Sequence, residues 1–214
     1  MRIPRVYPIL DTAALDRCGI SLEVAAGAFI EGGAGILQIR HKAHWSRAVY
    51  VQARVVARMC REAGVELIVN DRADFAMLFE AGLHVGQDDL APRYARALLG
   101  GAATIGYSSH NAAQLTAAGG EPVDYVALGP MFATGSKENP DPVVGVEELR
   151  SVRGLIEKPL VAIGGITLAN AREVWAAGAD SVAVIGGMIP EAPAALGLRR
   201  RMEEWQALQA LTNL

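Results

Sequence analysis

Two short apolar runs in this chain end in carboxylates. Leu67-Ile-Val-Asn-Asp-Arg72 carries Asn70 and Asp71 at its end, and Leu83-His-Val-Gly-Gln-Asp-Asp89 carries Asp88 and Asp89. If the runs are neighbouring parallel strands, Asp71 and Asp89 stand on one rim. Hard oxygen donors gathered there suit Mg2+, which takes one or two carboxylates and completes its shell with water and substrate phosphate. Alone, Asp71 reads as the N-cap of the next helix. The acids at the second run shift the balance to a metal, with Asp88 as a solvent-facing neighbour of the ligand Asp89.

Other polar residues fall at corresponding places. Gln38, Arg40 and Lys42 alternate as another run ends, so their side chains share a face if the extended conformation persists. The two cations would oppose diphosphate charge, although Arg40 also fits a barrel-interior arginine paired with an aspartate near the rim. Gly164-Gly165 and Gly186-Gly187 close the last two runs, where backbone N–H groups commonly hold a phosphate. The plainer reading is a pair of tight corners. Residues 129–144 form a long connector, expected to be a substrate-covering loop in which Thr134 and Ser136 donate to one phosphate and Lys137 neutralises another. His110, close to Ser108, reads either as a proton carrier or as a helix-start residue bonded to backbone. His84 reads as a satisfied interior histidine, and Trp45, Trp175 and Trp205 as helix-packing anchors.

The elements that must position these groups alternate regularly. Strand-like runs cover 6–11, 35–40, 66–71, 83–87, 103–108, 125–130, 159–165 and 181–187, and helical periodicity covers 21–31, 46–63, 72–81, 92–99, 111–118, 146–155, 168–177 and 192–210. Strict alternation implies a parallel sheet, and strands apolar throughout, such as Leu160-Val-Ala-Ile, are covered on both faces. Eight units in one domain, residues 1–214, predict an α/β fold of the (β/α)8 TIM-barrel type. An open doubly wound sheet is the weaker alternative, because no Gly-x-Gly-x-x-Gly follows the first strand.

Of the 214 residues, 51% are apolar and 20% charged, enough to bury a substantial core, and the formal charge of -3 offers no general attraction to nucleic acid or an anionic membrane. Cys18 and Cys60 lack metal or redox spacing, and no run of about 18 apolar residues or signal-like start is present. A reducing cytoplasm is the expected compartment.

The ordered set Leu37-Gln-Ile-Arg-His-Lys42, Val69-Asn-Asp71, Leu83-His-Val-Gly-Gln-Asp-Asp89, Tyr125-Val-Ala-Leu-Gly-Pro130, Thr134-Gly-Ser-Lys137, Val161-Ala-Ile-Gly-Gly-Ile166 and Gly178-Ala-Asp-Ser-Val-Ala-Val-Ile185 resembles the thiamine phosphate synthase family over nearly the whole chain. The resemblance implies a transferase that joins hydroxymethylpyrimidine diphosphate to a thiazole phosphate, giving thiamine phosphate and pyrophosphate by a Mg2+-assisted dissociative route. It implies that Gln38, Arg40, Lys42 and Asn70 hold the pyrimidine diphosphate, that Asp71 and Asp89 bind Mg2+, and that Ser108 and Lys137 contact the pyrophosphate side. Thr134, Ser136, Gly165, Ile185 and Gly186 would hold the thiazole phosphate. Arg40, Ser108 and Lys137 are the implied catalytic groups. Gly186 replaces a serine frequent in the family, and Ser136 a threonine. Small phosphorylated molecules are the expected partners, and a homodimer is left open.

Two other readings compete. A related thiazole tautomerase would use a histidine near the position of His110 and needs no diphosphate site, which Arg40, Asp71, Asp89 and Lys137 argue for. A non-catalytic sensor of phosphorylated ligands would bind without releasing pyrophosphate.

Overall fold

The computed structural model describes residues 3–135, 141–191 and 193–211. Eight parallel strands, β1 (Val6–Asp11), β2 (Ile36–Arg40), β3 (Glu66–Asn70), β4 (Gly82–Val85), β5 (Ile105–Ser109), β6 (Tyr125–Leu128), β7 (Leu160–Ile163) and β8 (Ser181–Val184), pair in chain order and close with β8 on β1. Around them lie α1 (Thr12–Arg17), α2 (Leu22–Glu31), α3 (Arg47–Ala63), α4 (Ala73–Phe79), α5 (Pro92–Leu99), α6 (Ala112–Gly119), α7 (Gly145–Val152), α8 (Ala171–Ala176) and α9 (Ala195–Ala210). This is the expected (β/α)8 barrel.

Strand alternation divides the core. Leu10, Leu37, Ile39, Val69, Leu83, Val126 and Val182 point outward and pack against the helices. Tyr7, Ile9, Ile36, Ile68, Tyr125, Ala127, Val161 and Ala183 fill the barrel interior. Two glycines make that interior possible. A Cβ on Gly82 would lie 2.4 Å from Ile68 Cδ1, and one on Gly106 would lie 2.1 Å from Tyr125 Cζ, so the large residues of β3 and β6 occupy space that β4 and β5 vacate.

At the amino ends of the strands an Arg–Asp clamp occurs twice. Asp124 Oδ2 accepts from Ile105 N at 2.7 Å and from Arg96 Nη2 at 2.6 Å. Asp180 Oδ2 accepts from Leu160 N at 2.8 Å and from Arg153 Nη2 at 3.0 Å. Each aspartate precedes one strand, caps the first N–H of its neighbour, and so pins the β5–β6 and β7–β8 registers.

Several boundaries differ from expectation. The strands stop before Asp71, Gln87, Pro130 and Gly165, which lie on the loops that follow, and before Gly187, which lies in a single 3-10 turn over Gly186–Met188. Helix α1 follows β1 without a loop, started by Asp11, whose Oδ1 accepts from Ala14 N at 2.9 Å. Asp71 is not an N-cap: Arg72 holds the cap position of α4 with no side-chain hydrogen bond, and Asp71 has φ 64°. Trp45 anchors a loop rather than a helix, stacking on Phe75 of α4 with ring centroids 4.1 Å apart. Trp175 and Trp205 do pack helices α8 and α9, edge to face at 6.4 Å.

Candidate active site

The carboxyl ends of the strands surround a cavity of about 1020 Å³. Gln38, Arg40, Lys42, Asn70, Asp71, Asp89, Ser108, Thr134, Gly165, Ile185 and Gly186 all line it. Ser136 and Lys137 lie outside the described residues.

The floor is a chain of hydrogen bonds. Gln38 Nε2 donates to Tyr7 Oη at 2.9 Å, the Tyr7 and Tyr125 oxygens are 3.0 Å apart, Tyr125 Oη is 3.0 Å from His84 Nδ1, and His84 Nε2 is 2.8 Å from Ser108 Oγ. Both tyrosines are fully buried, and burial pushes both phenols well above the usual tyrosine range. They are therefore neutral, with one hydroxyl proton each. Tyr7 and Tyr125 were not anticipated as cavity residues. Their inward positions on β1 and β6 follow from strand alternation, but their meeting depends on barrel closure, which joins residues far apart in the chain.

The acidic rim lies on the loops after β3 and β4. Lys42 Nζ donates to Asp71 Oδ2 at 2.5 Å, and Asp89 Oδ2 accepts from Gly86 N at 2.7 Å. The Asp71 and Asp89 carboxyls are close enough to influence one another's ionisation. Burial first, and then Asp89, raise the Asp71 pKa against the opposing pull of Lys42. Two mutually repelling carboxylates beside one exposed ammonium form a set of hard oxygen donors that a small divalent cation would stabilise, so the residues present fit Mg2+. Asn70 adds a donor: its Nδ2 is buried with no hydrogen-bond partner among the described residues, an arrangement that a ligand acceptor would satisfy.

Arg40 is paired with Asp11 in a close contact at the cavity edge. The interior ion pair weighed from the sequence is thus present, and Asp11 gains two tasks, orienting Arg40 and starting α1. On the β5–β6 side, Gln87 Nε2 donates to Ser108 O at 2.5 Å. His110 Nδ1 lies 2.8 Å from Gly129 O and 3.5 Å from Asp141 Oδ2, linking the end of β5 to both flanks of the long β6 loop.

Across the cavity, Gly164 and Gly165 have φ 99° and 66°, and a Cβ on Gly165 would stand 2.7 Å from both Phe132 Cβ and Ala133 O. These glycines are required by close packing under the β6 loop as well as by their dihedrals. Gly186 differs, because a Cβ there would meet open space.

The model of the family described as thiamine monophosphate synthase matches residues 6–188. The chain belongs to the thiamine monophosphate synthase family. By that membership it is a transferase. It is 46% identical over 192 residues to the thiamine-phosphate synthase of Koribacter versatilis, covering 88% of this chain and 90% of that one. It is 41% identical over 186 residues to the thiamine-phosphate synthase of Chloroflexus aurantiacus, covering 86% and 85%. The solved structure of thiamine phosphate pyrophosphorylase from Pyrococcus furiosus superposes with a TM-score of 0.82 at 29% identity, over 97% of this chain and 96% of that one. In this member of the synthase family the cationic and acidic groups of β2–β4 face the glycine corners of β7 and β8 across one cavity. Among the described residues no helix is long and apolar enough to cross a membrane.

Proposed function

We propose that the chain joins hydroxymethylpyrimidine diphosphate to a thiazole phosphate, releasing pyrophosphate and forming thiamine phosphate. The observation that carries this reading is the division of one cavity into two anion-suited sides. Lys42, Arg40, Asn70 and Ser108 supply donors and positive charge beside the Asp71–Asp89 pair, while Thr134, Gly165, Ile185 and Gly186 line the far side. In this reading the first side takes the diphosphate and the second the thiazole phosphate.

Departure of pyrophosphate from the pyrimidine methylene carbon breaks a C–O bond and leaves a cation that the aminopyrimidine ring shares. Arg40, Lys42 and Ser108 stabilise the negative charge gathering on the leaving group. Lys137, assigned by resemblance, adds a further cation. Asp71 and Asp89 would hold Mg2+, which supplies charge neutralisation to the diphosphate oxygens. Gln38 and Asn70 orient the pyrimidine, and the far side of the cavity holds the thiazole nitrogen near the carbon it captures, while enclosure limits reaction with water. No covalent intermediate with the protein is needed. The two free thiols, Cys18 and Cys60, support assignment to a reducing cytoplasm.

The test is pyrophosphate release from purified protein given both substrates, with Mg2+ and then with chelator. Release that needs both substrates and Mg2+, matched by an equal amount of thiamine phosphate, is expected. No release under any condition overturns the reading. Conversion of the thiazole tautomer without Mg2+ or pyrimidine would instead assign the tautomerase chemistry and direct attention to His110.

A further inference from the structure

The hydrogen-bond chain on the cavity floor ends in two groups that the proposed function places on the pyrimidine diphosphate, and its protons have two concerted arrangements. Tyr7, Tyr125 and Ser108 each have one hydroxyl proton, and a neutral imidazole has one N–H. In the first arrangement Gln38 Nε2 donates to Tyr7, Tyr7 to Tyr125, Tyr125 to His84 Nδ1, and His84 Nε2–H to Ser108. The Ser108 proton then points away from the chain, and Gln38 keeps Oε1 as an acceptor. In the second, every donor and acceptor is exchanged: Ser108 donates into the chain and Gln38 turns its amide over. A mixed assignment puts two protons in one gap or none in another. With Gln38 donating, an imidazolium at His84 would crowd two protons into the 3.0 Å gap to Tyr125. Low local polarity strengthens the penalty for either fault.

We propose that Tyr7, Tyr125 and His84 are positioning residues that hold Gln38 as a hydrogen-bond acceptor whenever an anion takes the Ser108 proton, so that the site selects a pyrimidine bearing an amine over its oxo counterpart. This deepens the functional reading and rests on it, since it takes the diphosphate to lie against Ser108 and the pyrimidine against Gln38. A phosphate oxygen offers no proton, so Ser108 must donate outward, which selects the first arrangement. The Gln38 end already has that polarity, with Nε2 on Tyr7 at 2.9 Å. Gln38 is 3% exposed and lines the cavity, so a substrate lying against it displaces water from Oε1 and must supply a donor in its place. A ring amine supplies one. An oxo group sets acceptor against acceptor, a mismatch that buried polar sites reject by large factors. The glycine at position 106 leaves the volume in which Tyr125 completes the chain.

The experiment uses the full chain with Mg2+. First, kcat/KM is measured for the amino-bearing pyrimidine diphosphate and for the analogue carrying an oxo group in its place. Wild type is expected to prefer the amine by roughly 10³-fold or more, and Tyr125→Phe and Tyr7→Phe to lose at least about tenfold of that preference because Gln38 is freed to turn over. Second, imidazole 15N resonances are recorded with Mg2+ and pyrophosphate, that of His84 being identified by its loss in His84→Gln. The Nε2–H tautomer is expected. Thiamine phosphate formation with the preference intact in either phenylalanine variant overturns the inference, as does an Nδ1–H tautomer or an imidazolium in wild type with pyrophosphate bound. If Tyr125→Phe does not fold, Tyr7→Phe and the wild-type tautomer decide. A wild type that forms no thiamine phosphate overturns the functional reading instead, while the tautomer still reports on the chain.

Discussion

Asp71 combines an uncommon backbone conformation with an uncommon electrostatic position. Its φ of 64° lies in the left-handed region, where Asp and Asn are the side-chain-bearing residues best tolerated. Its carboxyl faces Lys42 on one side and Asp89 on the other. Because burial raises the folded pKa above the usual 3.8, the unfolded chain ionises first as pH rises. The resulting penalty on the folded state is absent below the usual value and complete above the raised one. In chelator, Asp71→Asn is therefore expected to melt above wild type at pH 7, with the difference closing as the pH falls toward the usual carboxylate value. Added Mg2+ should raise the Tm of wild type and not of the variant, and the variant's turnover should fall by at least about 100-fold. An unchanged Mg2+ response in thermal melts would remove Asp71 from the metal site. Residue types and strand ends made Asp71, Asp89, Gln38 and Arg40 visible in the sequence. A pairing of Arg40 with an aspartate was legible only as one of two options, and its partner Asp11 not at all, because the partner depends on which side chain the neighbouring strand presents.

At the scale of elements, all eight strands were legible because buried parallel strands are apolar throughout and are punctuated by turn residues. Their ends were not, since a rim residue can continue the apolar pattern after strand pairing has stopped. Helix α1 was missed for a related reason: its six residues follow Asp11 directly, and so short a segment shows little periodicity. The interior glycines were equally silent. Gly106 has no left-handed dihedral to mark it, and its need comes from Tyr125, which pairs across the sheet from β6. Gly106→Ala is expected to cost about 1–3 kcal/mol in urea denaturation by overpacking a fully buried ring, and to reduce turnover more than Gly101→Ala, where the added carbon meets open space. Equal effects of the two substitutions would show that Tyr125 yields freely.

For the molecule as a whole, the buried phenols set a limit at alkaline pH. Tyr7 and Tyr125 have folded pKa values raised from 10.0 by burial, and burial pushes the Cys60 thiol from 9.0 up to about 12. In each case the unfolded form loses its proton first. Stability is therefore complete below the ordinary values and declines as pH rises past them, at up to about 1.4 kcal/mol per pH unit per group. Urea midpoints measured from pH 8 upward should fall more steeply in wild type than in Tyr7→Phe. Identical slopes would mean that Tyr7 ionises as readily folded as unfolded. The sequence pointed to barrel closure through its eight strand-helix units, but gave no sign that the closed interior would bring Tyr7 and Tyr125 together beside His84.

The pairing of Val6 with Val182 also has a consequence for biosynthesis. All six residues of β1 are buried in the finished barrel, yet the strand that completes its cover begins only at Ser181. At about 5–20 residues per second, a ribosome would take on the order of 10–40 s to travel from one strand to the other. Throughout that interval the nascent chain carries an unsealed apolar edge, so the stage at which it most needs protection from its neighbours is translation itself.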